Sequence, residues 1–92
     1  MSIRALEQTA AIRMLLFLAR QKKASIMELA RNLDASNVAI YNAIKKLSEA
    51  GLVNDEYEDH FPRRRLISLT EKGRRVAELL AQIEAVLEEK EE

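Results

Sequence analysis

The sequence predicts one small α+β domain that is mainly helical, with four helices and a single two-stranded ribbon. Apolar residues recur at helical spacing in four segments, and two strand-like runs separate the third segment from the fourth. Only two glycines and one proline interrupt the chain, so the connections between elements must be short. We expect the 92 residues to form a single domain, 1–92, with a modest core and little room for an enzyme cleft.

Composition excludes several classes of protein. Hydrophobic residues make up 48% of the chain and charged residues 33%, which is the balance of a globular protein. There is no cysteine, and His60 is expected to be an idle side chain at a loop tip, so we expect no metal site. No cofactor motif or paired nucleophile and base is present, which predicts a protein that is not an enzyme and has no cofactor. The apolar run at residues 14–19 is too short to span a membrane and no signal peptide is visible, which predicts a cytoplasmic protein.

The first helix is predicted over residues 10–20, where a heavily apolar pattern repeats at helical spacing. Thr9 is its candidate cap, and Ser2 is a candidate cap of an earlier helical stretch that either precedes it or continues into it. The apolar face is wide enough to be buried on two sides. One side is expected to join the domain core, and the other is available to a partner subunit.

The second helix is predicted to begin at Ser25, which is followed three residues later by Glu28, the signature of a capping box. Ala24 and Ser25 also predict a very short strand. This helix is expected to end at Leu33, and the turn at residues 34–36 joins it to the third helix.

The third helix, residues 36–50, has two chemically different faces. Ser36 is the expected cap, and Gly51 is placed to end the helix in a left-handed conformation. The residues at core spacing are Ile40, Ala43, Ile44 and Leu47. The outward residues are polar or aromatic, as a surface that contacts another molecule requires.

Two strands are predicted after Gly51, over residues 52–57 and 64–69, with a tip at residues 58–62. Thr70 is expected to cap a fourth helix that continues to about Lys90. This order of elements, α-(β)-α-α-β-wing-β-α, is that of a winged helix-turn-helix.

A winged helix-turn-helix offers two devices for holding duplex DNA: a helix for the major groove and a wing for the backbone or the minor groove. Here the wing is residues 58–65, the winged-helix core is residues 9–70, and residues 71–90 form a long C-terminal helix for dimerisation.

The outward face of the third helix carries side chains suited to DNA. Amides can pair with adenine, an aliphatic group can contact a thymine methyl, and lysines and a phenol can hold phosphates. The predicted contacts from this recognition helix are Ser36, Asn37, Val38, Tyr41, Asn42, Lys45 and Lys46. An ordinary solvated helix face is the alternative, although such a face rarely carries residues like Val38 and Tyr41.

The wing contributes three consecutive arginines, Arg63, Arg64 and Arg65, as predicted contacts to the DNA backbone or minor groove. The alternative is pairing with carboxylates of the partner strand, which are Asp55, Glu56, Glu58 and Asp59. We expect both, with about half of the basic charge absorbed by these carboxylates.

The formal net charge of zero argues weakly against a nucleic-acid partner, but the charge is unevenly distributed. Residues 1–54 and 63–75 carry net charges of +4 and +5, whereas residues 55–62 and 76–92 carry −4 and −5. A local basic face attracts DNA even when the whole chain is neutral.

The last helix repeats apolar residues along one seam, which predicts a homodimer. The expected interface residues are Val76, Leu79, Leu80, Ile83, Val86 and Leu87. The alternative is an amphipathic tail that folds back on its own domain, but the seam extends beyond easy reach of the core.

The run from Leu33 through Gly51-Leu52-Val53, followed by Arg63 and by Leu69-Thr70-Glu71-Lys72-Gly73-Arg74, resembles the winged-helix transcription regulators of the MarR, ArsR and PadR type. The resemblance covers roughly residues 9–80. It implies a homodimer that reads DNA with residues 36–50.

Three departures from these families narrow what the resemblance implies. Asp34 stands where the turn often carries glycine, and Phe61-Pro62-Arg63 replaces the Asp-x-Arg pair usual in MarR-type wings. The cysteine and histidine sensor ligands of metal-responsive ArsR proteins are absent, so metal sensing is not implied.

These observations predict a homodimeric regulator, expected to be a repressor, that binds a pseudo-palindromic site in double-stranded DNA without a metal or a membrane. Two alternatives remain open. One is a winged-helix protein-interaction module using Val38, Tyr41 and Phe61, which the neutral net charge favours. The other is a nucleoid-associated protein that binds duplex without sequence preference.

Overall fold

The computed structural model describes residues 3–90. After a short 3-10 helix at Ile3–Glu7, the elements are α1 (Ala11–Arg20), β1 (Ala24–Ser25), α2 (Ile26–Leu33), α3 (Asn37–Glu49), β2 (Val53–Tyr57), β3 (Arg65–Leu69) and α4 (Glu71–Leu87). The predicted α+β winged-helix architecture is therefore confirmed. Ser2, the candidate cap of the first stretch, lies outside the described residues.

The start of α1 differs from the prediction. Thr9 does not cap this helix: the residue before it is Ala10, in a left-handed conformation with φ 69°, and no side chain caps the helix. The backbone N–H of Ala11 donates to the carbonyl of Gln8 (3.0 Å). The tight turn therefore satisfies an N–H group that the Thr9 hydroxyl would bind if it capped the helix.

The other boundaries differ by at most one residue, except at the end of α4. β2 and β3 each begin one residue later than predicted, and α4 ends at Leu87 rather than Lys90. Beyond Leu87 the chain is mostly glutamate. Negative charge is unfavourable at the carboxyl end of a helix because it repels the negative end of the helix dipole, which explains the earlier end.

The core lies around α1, which packs against α2, α3, α4 and β3. Met14 and Leu15 of α1 are completely buried, as are Ile40, Ile44 and Leu47 of α3. Among residues 3–90 no polar or charged residue is buried. Hydrophobic burial therefore fixes which face of α3 turns inward, and so which face remains exposed.

The turn between α2 and α3 is held by caps and by one long-range hydrogen bond. Ser25 and Glu28 form the predicted capping box at the start of α2. At its end Asp34 adopts a left-handed conformation with φ 51°, which aspartate tolerates better than most residues. Arg13 of α1 donates a hydrogen bond of 2.6 Å to the carbonyl of Leu33, so the core helix also fixes this turn.

The end of α3 is a Schellman motif. Gly51 has φ 75°, and the N–H groups of Gly51 and Leu52 donate to the carbonyls of Ser48 (3.0 Å) and Leu47 (2.9 Å). This confirms the predicted left-handed end at Gly51 and turns the chain directly into β2.

The start of α4 is tied to the same corner. The Thr70 hydroxyl donates to the carbonyl of Gly51 (2.7 Å), while its oxygen accepts from the N–H of Gly73 as the predicted cap. The Thr70 N–H donates to the carbonyl of Leu52 (3.1 Å), and Lys72 Nζ donates to that of Ala50 (3.2 Å). These bonds fix α4 against the end of α3.

The three strands form an antiparallel sheet in the order β1-β3-β2. The pairing of β2 with β3 runs from Val53 opposite Leu69 to Tyr57 opposite Arg65. Val53, Ile67 and Leu69 are buried, so this face of the sheet covers the core. Because alternate residues of a strand share a face, Arg65 lies on the same side as Ile67, toward the helices.

Replacing Gly73 tests the close approach of α4 to the corner. Alanine normally stabilises a helix relative to glycine, but a Cβ at Gly73 would overlap the carbonyl oxygen of Leu52. We expect Gly73→Ala to lower the free energy of unfolding by about 1–3 kcal/mol or more, measured by urea denaturation.

The matched substitution is Gly51→Ala, where within residues 3–90 no atom beyond the glycine and its two chain neighbours lies within 4 Å of the added Cβ, so that the positive φ is what opposes it. Its expected cost is about 1–2 kcal/mol, and Gly51→Asn should be milder because asparagine visits this conformation more readily. A neutral or stabilising Gly73→Ala would contradict the packing described here.

Candidate nucleic-acid interface

The exposed face of α3 carries all seven residues that the sequence predicts as contacts from this helix. Ser36, Asn37, Asn42, Lys45 and Lys46 are exposed, while Val38 is 69% and Tyr41 46% exposed. The opposite face, including the predicted Ile40, Ala43, Ile44 and Leu47, is buried. The structure thus brings amides, a phenol, an aliphatic group and two ammonium groups onto one solvent-facing helical surface.

Two of these residues have partners within the helix. The Ser36 hydroxyl accepts from the N–H of Ala39 at 3.1 Å, which confirms it as the cap of α3. Lys46 lies 3.8 Å from a carboxylate oxygen of Glu49, with both side chains more than half exposed. Such a pair is weak in water, so Lys46 can exchange Glu49 for another anion. Within residues 3–90, Lys45 forms no ion pair.

The wing arginines are held mainly by carboxylates of the outgoing strand and tip. Arg64 Nε donates to Glu58 Oε1 at 2.6 Å, and Arg63 Nε donates to the backbone carbonyl of Glu58 at 3.1 Å. Arg63 and Arg64 both precede β3, which begins at Arg65 rather than at the predicted residue 64. The backbone N–H of Glu58 donates to the carbonyl of Arg64 (2.9 Å), so the two arms of the ribbon stay paired just beyond the ends of β2 and β3.

The pairing of Arg64 with Glu58 shifts both groups toward their charged forms. The hydrogen bonds from Arg64 lower the pKa of Glu58, and those to Glu58 raise the pKa of Arg64. The pair therefore stays ionised at neutral pH, and the net charge of the wing is smaller than its three arginines suggest.

Arg65 forms the most geometrically specific ion pair of the wing. Its Nε and one terminal nitrogen donate to the two oxygens of Asp55, at 2.7 and 2.6 Å. These bonds raise the pKa of the guanidinium. Of the four carboxylates expected to pair with the arginines, Asp55 and Glu58 do so, whereas Glu56 and Asp59 form no ion pair within the described residues.

The guanidinium of Arg65 also lies over the ring of Tyr41, with 5.5 Å from its carbon to the ring centroid. The wing and α3 are therefore in contact through side chains that the sequence suggests separately for DNA. This contact is between residues 24 positions apart, and neither helical nor strand periodicity indicates it. The feature that comes closest to predicting the contact is the antiparallel register, which puts Arg65 on the side of the sheet that faces the helices.

The predicted dimer seam of α4 is divided between the domain and the solvent. Leu80 is buried and Val76 is partly buried against the core of the same chain. The remaining four residues are between 56% and 79% exposed: Leu79, Ile83, Val86 and Leu87. An apolar strip thus continues along α4 past the end of the core.

The wing tip contains Phe61, which is 94% exposed, and His60, which is also exposed. Within residues 3–90 no three histidine, cysteine, aspartate or glutamate side chains are grouped as a metal site. In the same residues, no helix has the length and apolar character needed to cross a bilayer.

This fold is shared with a known protein family and with solved structures. Residues 7–87 match the sequence model of a family described as ArnR1-like, winged-helix domain. Comparison with curated protein sequences gives no significant match.

Among solved structures, a transcriptional regulator homologue from Pyrococcus horikoshii OT3 superposes with a TM-score of 0.80 at 21% identity, covering 94% of this chain and 87% of that one. ZitR from Lactococcus lactis superposes with a TM-score of 0.77 at 30% identity, covering 91% of this chain and 64% of that one. A further ZitR variant was solved in complex with DNA, and it superposes with a TM-score of 0.75 at 32% identity, covering 86% of this chain and 54% of that one. The chain thus spans between about half and two thirds of the ZitR chains that it matches.

Replacing Ser36 tests the cap that fixes the first turn of α3 and so helps to orient its exposed face. We expect Ser36→Ala to lower the free energy of unfolding by about 1 kcal/mol, because the N–H of Ala39 loses its acceptor. Ser48→Ala is the control, since Ser48 is exposed on the same helix and its hydroxyl forms no hydrogen bond within the described residues. Urea denaturation of both variants should show a loss for Ser36→Ala alone, and equal stabilities would exclude this cap.

Proposed function

The chain belongs to the ArnR1-like winged-helix domain family, and from that premise we propose that it is a transcription regulator that binds double-stranded DNA. The observation that carries the proposal is the face of α3, where two amides, an exposed aliphatic side chain and two lysines stand clear of the core. Amides and aliphatic groups read base edges, and lysines hold phosphates, so one helical surface contains both kinds of contact.

The major groove is the proposed place of α3, with Ser36 and Asn37 at its amino-terminal end and Asn42 one turn beyond Val38. Asn37 and Asn42 are the proposed readers of base edges, and Lys45 and Lys46 the proposed phosphate contacts. The ZitR complex supports this proposal, since a protein of similar fold at 32% identity was solved with DNA.

The wing has a smaller part in the proposed complex. Arg64 has 59% of its side chain exposed, and among residues 3–90 the side chain of Arg63 is bound only to a backbone carbonyl, so both can reach the DNA backbone or the minor groove. Arg64 is paired with Glu58, however, and this ion pair contributes less net positive charge than an unpaired arginine. We therefore propose that α3 provides most of the sequence discrimination and that the wing adds backbone contacts.

A homodimer is the proposed functional unit, formed through the exposed seam of α4. The molecule is elongated, with extents of 54 × 28 × 22 Å, and every residue from 81 to 90 is exposed in the isolated chain. Four exposed apolar side chains on one side of a helix fit a second copy of the same helix. Two-fold symmetry then places the two α3 helices in successive major grooves, about 34–36 Å apart, on a pseudo-palindromic site where the dimer acts as a repressor.

One specific observation favours a second candidate, a winged-helix protein-interaction module. Phe61, Val38 and Tyr41 are all large and exposed, and two of the three wing arginines are paired with carboxylates. A protein partner would use these apolar groups where DNA would use the lysines. The two functions differ in their dependence on salt.

Duplex binding measured over a range of salt concentrations tests the proposed function. We expect log K to fall linearly with log salt, because phosphate contacts release counterions.

Asn42→Ala should reduce the preference for a selected site over random duplex by about 1–3 kcal/mol. Lys45→Ala should weaken binding to all duplexes alike and lower the salt slope by about one per subunit.

Lys90→Ala is the control for Lys45→Ala, because Lys90 is exposed beyond the end of α4. Undetectable duplex binding at low salt would exclude the regulator and favour the interaction module. Equal affinity for the selected site and for random duplex would instead indicate a nucleoid-associated protein.

The dimer is tested by placing a charge in the seam of α4. We expect the wild-type chain to sediment as a dimer at micromolar concentration and Ile83→Glu to sediment as a monomer, because a carboxylate would have to be desolvated between the helices. Ala85→Glu adds the same charge about 200° around the helix and should remain dimeric. A wild type that is monomeric at this concentration would contradict the proposed interface.

A further inference from the structure

Arg65 connects the wing to the recognition helix in a way that differs from the other two arginines. Both of its hydrogen-bonding partners are oxygens of Asp55, and its planar group lies 5.5 Å from the centroid of the Tyr41 ring. Its side chain is 30% exposed and that of Asp55 only 22%. Arg64, by comparison, is 59% exposed and bound to a residue of the wing tip.

The charge of Arg65 is matched by Asp55 at hydrogen-bonding distance. A fork of two parallel N–H···O bonds is the strongest geometry that an arginine and a carboxylate adopt. A DNA phosphate would have to displace Asp55, or approach a pair whose net charge is zero. Arg65 is therefore poorly placed to be a full-strength phosphate contact.

Tyr41 is the residue on which this neutral pair acts. Its ring is about half exposed on the outward face of α3, one turn before Lys45, and the guanidinium covers it. Attraction between the cation and the ring restricts the rotamers open to Tyr41. Because Asp55 fixes the guanidinium to β2, the ring, α3 and the ribbon are held as one unit.

We propose that Arg65 is a positioning residue that, held by Asp55, fixes Tyr41 and the angle between α3 and the wing before DNA arrives. This inference rests on the proposed function and assigns Arg65 a role other than the backbone contact that the sequence suggests. A surface ordered in advance does not lose the freedom of its side chains on binding, so the pair increases affinity without adding a charge.

Arg65→Lys separates positioning from contact because it keeps the positive charge and removes the fork. If Arg65 positions Tyr41, the affinity of the 92-residue chain for its selected duplex falls about two- to tenfold while the salt slope stays the same. If Arg65 is a phosphate contact, lysine replaces it and the affinity is retained, which would overturn the proposal.

A charge-neutral double replacement, Asp55→Asn with Arg65→Gln, gives the second measurement. The net charge is unchanged, so a positioning pair predicts weaker binding with an unchanged salt slope. A slope lower by about one per subunit would show that Arg65 contacts a phosphate and would overturn the proposal. The comparison is Glu58→Gln with Arg64→Gln, which removes a similar pair that does not touch Tyr41. Because Arg64 is a proposed backbone contact, this replacement should lower the salt slope, in contrast to the replacement of Asp55 and Arg65.

Measuring Arg65→Lys in a protein that already carries Tyr41→Leu shows whether Arg65 acts through the Tyr41 ring. There we expect Arg65→Lys to have no further effect, whereas Arg64→Lys should have the same effect in both backgrounds. Full additivity for Arg65→Lys would overturn the proposal. Circular dichroism confirms that each variant is folded at the temperature of measurement. If the double replacement does not fold, Arg65→Lys alone tests the positioning role.

A wild-type chain that binds no duplex at low salt overturns the proposed function together with this role for Arg65. A wild type that binds with the expected salt slope, alongside an Arg65→Lys variant of equal affinity, overturns only the positioning role.

Discussion

The corner from Ala50 to Leu52 is the point on which the arrangement of the other elements depends. The carbonyls of all three of its residues accept hydrogen bonds from the start of α4, two from Thr70 and one from Lys72. Gly73 lies directly against the Leu52 carbonyl, where a side chain would not fit. The same corner ends α3 and begins β2, so three elements leave one hydrogen-bonded site with fixed directions. A displacement there would move α3, the ribbon and α4 relative to one another.

That arrangement gives the domain its proposed function, because a symmetric site on DNA has a fixed spacing. The face of α3 must lie at a set angle to α4 if two copies are to enter successive major grooves. The caps at Ser36 and Thr70 and the turn at Gly51 set this angle locally. The bond from Arg13 to the Leu33 carbonyl connects it to the core. The exposed face of α3, which is the proposed DNA-contacting surface, is therefore oriented mainly by hydrogen bonds at the ends of the helices.

The sequence predicts best those features whose physical cause is local. The capping box at Ser25, the cap at Ser36 and the left-handed end at Gly51 each depend on a few neighbouring residues, and all three are confirmed. The left-handed Ala10 is not predicted, since alanine has no preference for that conformation and only the surrounding packing selects it. The Arg65–Tyr41 contact depends on the register of two strands and the tilt of a helix. No single segment contains that information.

The carboxylates of the ribbon determine how much positive charge the wing can offer to a DNA partner. Asp55 and Glu58 order arginines that would otherwise be mobile, and in doing so they reduce the charge that those arginines offer to phosphate. The lysines of α3 must then supply more of the electrostatic attraction, and one α3 helix provides only two. In the proposed complex, joining two such surfaces is what makes binding strong, because the second half-site is engaged at a high effective concentration. On this proposal the exposed seam of α4 contributes to DNA affinity although none of its residues contacts DNA.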